Sequence, residues 1–163
     1  QAKAPLLEIL GSLWELSKSY FPLKEKRPAR KIKRRRGVPS EPDRLYSFTA
    51  SSNNLHWIDL ESKAPETKSL EGYTFPIHPN WVLLPSGNLL FIGGSNSSGD
   101  TIKSCVEINT EEFSVAHKPD MSTPRYAAGC VYFDGKVYAI GGYNSGIIVK
   151  SCEYYDIASE EWE

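Results

Sequence analysis

KVYAIGGYNSG, residues 136–146, repeats in outline what NLLFIGGSNSSG, residues 88–99, has already written: an apolar run, a Gly-Gly pair and a polar loop. Working outward, HPNWVLLPSGNLLFIGG (78–94) aligns with YAAGCVYFDGKVYAIGG (126–142) at a constant offset of 48. In each copy two β-rich apolar runs flank a two-residue turn, Ser86-Gly87 or Asp134-Gly135, which predicts a tight hairpin. Past the polar loop, IKSCVEIN (102–109) matches VKSCEYYD (149–156) at an offset of 47. Glu111-Glu112-Phe113 and Glu160-Glu161-Trp162 then close the units at an offset of 49, which puts the length difference in the last loop. Each unit thus predicts four antiparallel strands. A third copy begins at RLYSFTASSNNLHWIDLES (44–62), with strands matching the second and third of a unit and a fourth within 63–77, but without the Gly-Gly.

A single four-stranded sheet cannot bury both of its faces. Units of this period stack their sheets against one another, radially, as blades. The glycine pair suits a strand that ends in a sharp turn, where positive φ and close backbone approach are needed.

MSTPRYAAGCVYFDGKVYAIGGYNSGIIVKSCEYYDIASEEWE (121–163) resembles a kelch repeat nearly end to end. It has the lead-in Met121, Pro124 and Arg125, then Asp-Gly, Gly-Gly, Tyr-Asp and a spaced Trp. The preceding unit lacks the lead-in Arg and has Ile108-Asn109 and Phe113 where the pattern has Tyr-Asp and Trp. The resemblance implies an all-β fold, a partial kelch-type β-propeller of about two and a half four-stranded blades. Residues 44–77 would be a partial blade, 78–120 a blade, and 121–163 a blade incomplete at its C-terminus. Such a chain does not close a ring. With Gln1 at its start and Glu163 inside a final strand, it reads as part of a longer protein.

The net charge of −1 conceals a division. Residues 1–44 carry 12 Lys+Arg against 5 Asp+Glu, and residues 45–163 carry 7 against 15, the asymmetry of a tail beside a domain. PLLEILGSLWELSKSYF (5–21) has helical apolar spacing between Pro5 and Pro22, so residues 1–22 predict an amphipathic helix for its own protein, a partner chain or a membrane surface. Residues 23–43 read as a flexible basic linker, whose tract is Lys24, Lys26, Arg27, Arg30, Lys31, Lys33, Arg34, Arg35 and Arg36. A solvated linker, a nuclear-import signal, a non-specific nucleic-acid patch and an anionic-membrane contact all remain open for it.

Little in the chain suggests chemistry. Cys105, Cys130 and Cys152 are odd in number and show no C-x-x-C spacing, which predicts free thiols in a reducing compartment, the cytoplasm, with the nucleus open through the basic tract. His56, His78 and His117 have no metal-ligand spacing, and neither Gly-Gly pair is followed by the Lys-Ser/Thr of a phosphate loop. No catalytic residue, metal ligand or cofactor is assigned, and no enzyme is expected. No apolar run is long enough to span a bilayer. Loops on a rigid scaffold carry recognition, and the resemblance implies a protein partner bound at the post-glycine loops and the lead-in. By position these are Asn96, Ser97 and Ser98, then Tyr143, Asn144 and Ser145, with Arg125 and Tyr126 from the lead-in. Arg125 is a candidate clamp for a carboxylate on an acidic peptide, or else an internal pairing partner. A protein-interaction scaffold leads. The alternatives are a ubiquitin-ligase substrate-recognition subunit and, in another class, a propeller-type oxidase with its site in other blades.

Overall fold

The computed structural model describes residues 43–163. The helix expected over 1–22 and the basic tract 24–36 lie outside the described residues. Among those described there is no helix, and none of them forms a span long and apolar enough to cross a membrane as a helix. β1 (Arg44–Phe48), β2 (Asn54–Asp59) and β3 (Pro65–Ser69) form a first sheet in that order. β4 (Asn80–Leu83), β5 (Leu89–Ser95), β6 (Thr101–Ile108) and β7 (Val115–Lys118) form the second. The third begins with β8 (Gly129–Phe133) and β9 (Lys136–Ile140). A small hairpin of β10 (Tyr143–Asn144) and β11 (Ile147–Ile148) follows, and the sheet ends with β12 (Cys152–Asp156) and β13 (Glu161–Trp162). Every pairing is antiparallel.

Strand alternation explains the stacking. In β5, Leu89 and Phe91 turn toward the first sheet, joining Leu55 and Phe75. Leu90 and Ile92 turn the other way, against Val137 and Ala139 of the third. Each such side chain contributes about 1.5–3 kcal/mol by leaving water, so a middle sheet buried on both faces is the anchor of the stack. The second and third sheets lie closest along their first strands, β4 and β8. The end faces contrast with this middle. Leu45 is 57% and Ile58 44% exposed on the first sheet, while the matching Leu89 and Ile108 of the second are at 0%. On the third sheet Ile140 is 51% exposed, while its counterpart Ile92 is at 0%.

The repeat registers differ from the sequence alignment in two places. Asp134-Gly135 is a two-residue turn with φ of 48° and 80°. Its counterpart is a three-residue loop, Pro85-Ser86-Gly87, closed by Leu84 N–H donating to Asn88 O, with Gly87 at φ 89°. Proline has no N–H to give a ladder, so pairing stops one residue early. The offset over the first strand is therefore 49, as the matching left-handed residues His78 (φ 48°) and Ala127 (φ 49°) mark. The closing Glu-Glu-aromatic match does not hold either. Phe113 and Glu160 share the left-handed turn position, and Val115 stands where Trp162 does. The last loop is the same length in both units.

Among the described residues that turn occurs three times. The side chain of Asp59 accepts from the N–H groups of Glu61 and Ser62, Asn109 from Glu111 and Glu112, and Asp156 from Ala158 and Ser159. Either Asx type makes the same turn, so Asn109 preserves the geometry where the sequence departs from Tyr-Asp. The weak first copy uses the same device.

Candidate functional site

The Gly-Gly pairs set the loop end of the sheets. Gly93 and Gly94 have φ of 62° and 107°, and Gly141 and Gly142 have 65° and 91°. A Cβ on Gly93 would lie 2.1 Å from the carbonyl oxygen of Arg125, and one on Gly142 would lie 2.7 Å from that of Tyr126. The glycines thus let each lead-in strand lie directly across the base of a loop. Ile77 exchanges backbone hydrogen bonds with Ser95, and Tyr126 does the same with Tyr143.

This brings most of the predicted loop residues to one end of the second and third sheets. Asn96 is largely spent within its own loop. Its Oδ1 accepts from the N–H groups of Ser98 and Asp100 at 3.0 and 2.9 Å, and its Nδ2 donates to Asp100 at 3.0 Å. Ser97 and Ser98 stay exposed at the tip that Asn96 shapes. The YNSG stretch is an ordered hairpin whose turn residues, Ser145 and Gly146, have φ of 50° and 80°. Its two halves stand beside the preceding loop through Ser145 N–H, which donates to Thr101 Oγ1 at 2.9 Å. Asn144 is half-buried, Ser145 exposed. Tyr126 stacks on exposed Tyr143 at 5.7 Å and meets His78 at 6.3 Å.

Two features of this end escape a reading of the sequence. Ile147 and Ile148 are 73% and 63% exposed on β11, directly after the turn. Their signal was an apolar pair in a stretch too short to reach the core. A cleft of about 330 Å³ also opens between the first and second sheets, lined by Ser51, Thr74, Phe75, Ser95, Ser97 and Ile102 among others. A larger cleft, about 500 Å³, lies at the opposite, hairpin end beside Leu84, Tyr132 and Ile157.

Arg125 is not on this surface. Its side chain is 0% exposed and faces the third sheet. Nη1 donates to the carbonyls of Gly141 at 2.9 Å and Ser151 at 3.0 Å, while Nη2 reaches Ser151 Oγ and pairs with Glu153. Glu153 also accepts from Ser122 N–H, Ser122 Oγ and Thr123 N–H. Burial pushes the Glu153 carboxyl up, but these hydrogen bonds outweigh it and hold the group below its ordinary value. Arg125 therefore clamps a carboxylate of its own chain, and the acidic-peptide expectation loses the residue on which it rested. Glu153 was legible as an anomaly: it shares strand parity with buried Tyr155, and a carboxylate facing a core needs a cation. The second sheet omits both partners together, with Pro76 in the place of Arg125 and Val106 in the place of Glu153.

Burial also raises the thiols of Cys105 and Cys130, the latter to about 12. Cys152, the repeat counterpart of buried Cys105, is exposed. Among the described residues no group of three or more His, Cys, Asp or Glu is placed to hold a metal ion.

The kelch motif family matches residues 124–163, which hold the lead-in and the whole third sheet. Kelch-like protein 41a of Danio rerio is 32% identical over 98 residues, 60% of this chain and 16% of that protein. An F-box/kelch-repeat protein of Arabidopsis thaliana is 29% identical over 91 residues, 54% of this chain and 24% of its own length. Kelch repeat and BTB domain-containing protein 2 of Ectromelia virus (strain Moscow) is 27% identical over 93 residues, 55% of this chain and 17% of its own length. The stretch in common is thus less than a quarter of each relative's length. With its repeated glycine-bent sheets and these likenesses, the chain carries a kelch motif over residues 124–163 and is similar to kelch-repeat proteins.

Proposed function

We propose that these sheets are consecutive blades of a closed kelch-type β-propeller that binds a protein partner through its loop end. The observation that carries the propeller reading is the contrast between equivalent positions: Leu89, Ile108 and Ile92 are buried in the middle sheet, while Leu45, Ile58 and Ile140 are bare at the ends. A like sheet against each end face would bury them as the middle one is buried. The close approach of β4 to β8 supports a radial stack with its narrow edge at the first strands. The partner surface is built from the hydroxyls of Ser97, Ser98 and Ser145, the rings of Tyr126 and Tyr143, and the side chains of Ile147 and Ile148. Tyrosine is among the residue types that most often anchor interfaces. No catalytic group is assigned to it, and the reading is of a binding module rather than an enzyme. A second reading, a substrate-recognition subunit of a ubiquitin ligase, is favoured by relatives whose names join kelch repeats to an F-box or a BTB domain.

Photo-cross-linking from the full-length protein tests the binding reading. Probes at Ser97 and Ile148 should capture the same protein, and a probe at Asp134, in a hairpin turn at the opposite end, should not. Capture from Asp134 alone would overturn it.

A further inference from the structure

We infer that Arg125 is a positioning residue that holds the two loops of this end, 93–102 and 141–151, as a single recognition unit without itself touching a partner. Its main chain brackets the first loop. Gly94 N–H donates to Arg125 O at 2.9 Å, and Arg125 N–H donates to Ile102 O at 3.3 Å, one contact on each side of the loop's base. Its side chain brackets the second in the same manner, through Gly141 O on one side and Ser151 O and Oγ on the other. One residue is thus bonded to both ends of two successive loops, and the tip of the second also meets the base of the first through Ser145 and Thr101.

The chemistry of the residue fits the task. A guanidinium offers a rigid planar fork of donors, and four contacts at fixed angles are within its reach as they are not within a lysine's. Glu153 holds the fork in place from behind, and Gly93 supplies the space, since any side chain there would strike Arg125 O. Between the first and second sheets the lead-in meets the loop through its main chain alone, at one point rather than on both sides of its base. Phe75 exchanges hydrogen bonds with Ser51 and Ser52, but the next residue is Pro76, which has no fork to extend. The side-chain coupling is therefore particular to the pair of loops that carries Tyr143, Ile147 and Ile148. A partner that displaces one of these loops must move the other or break buried hydrogen bonds. What the loops bind rests on the loop-end reading above; the coupling does not.

Hydrogen exchange on the full-length protein reads the coupling without any partner. In Arg125→Lys, which keeps a cation for Glu153 but loses the fork, amides of 94–101 and of 141–151 should speed together by roughly tenfold, the factor for about 1.4 kcal/mol of local opening. Strand amides of residues 89–92 in β5 and of β9 should keep their protection. Thr101→Val, which cuts only the direct contact between the loops at Ser145, should leave the amides of Gly94 and Gly141 unchanged. Ser151→Ala, a milder change that removes one acceptor of the fork, should loosen both loops in the same sense. Acceleration confined to 141–151, no acceleration, or equal acceleration of the strands would overturn the inference. If both loops loosen together while probes at Ser97 and Ile148 capture no protein, the coupling stands and the binding reading falls.

Discussion

Replacing Arg125 by alanine should unfold the chain far more readily than any change at a partner surface would. The guanidinium is fully buried and makes four polar contacts inside the protein. Its loss leaves Gly141 O without that donor and leaves Glu153 as a buried carboxylate without a cation. Removing one partner of a buried ion pair costs about 3–5 kcal/mol. Two details of the structure pull the value toward the lower end. Ser151 O keeps the N–H of Gly141, and Glu153 keeps Ser122 and Thr123 as donors. The expected loss is therefore about 3 kcal/mol, out of a total that rarely exceeds about 15. Urea unfolding of the full-length protein measures it: with a slope of about 1–3 kcal/mol per molar, the midpoint should fall by at least about 1 M while the slope is unchanged. A loss below about 1 kcal/mol, the range of an exposed pair, would refute the assignment of Arg125 as an internal clamp.

Two further outcomes follow from the same contacts. Gly93→Ala must place a Cβ 2.1 Å from Arg125 O at a φ of 62°, so backbone strain and overpacking together should cost about 3 kcal/mol in the same urea assay; a near-neutral result would mean that the lead-in can withdraw. The Glu153 carboxyl is held below its ordinary 4.5 in the folded chain, so it binds its proton less readily folded than unfolded. Its contribution is complete above about pH 4.5 and is lost as pH falls through the lowered folded value. The stability difference between the native protein and Glu153→Gln should shrink over that window, and a difference constant from pH 7 to 3 would contradict the hydrogen-bond assignment.

The sheets were legible in the sequence because alternation and glycine pairs are local signals. KVYAIGG declares a strand and its bend without help from distant residues. The registers were less so, because an alignment of Ser86-Gly87 with Asp134-Gly135 gives no warning that Pro85 lengthens one turn. The Glu-Glu-aromatic match failed for a similar reason: two short identical strings outweighed the Asx turn at Asn109 and Asp156, which is what fixes the spacing. Arg125 shows the limit most clearly. Its position in the lead-in marked it for the loop end, but whether a side chain points out or in depends on what faces it. The partner, Glu153, lies 28 residues away on another strand. Ile147 and Ile148 were missed in the opposite sense, since an apolar pair reads as core until the hairpin that carries it is seen to project.

The central claim, that these sheets are successive members of a closed stack, is tested most directly at Cys152. This thiol occupies the place on the third sheet that buried Cys105 occupies on the second, and it is exposed on the bare end face. Thiol labelling of the folded full-length protein, read residue by residue, should find Cys152 as resistant as Cys105, with both modified only on global unfolding. Rapid labelling of Cys152 alone, at the rate of a free exposed thiol, would mean that no sheet covers that face and would contradict the propeller.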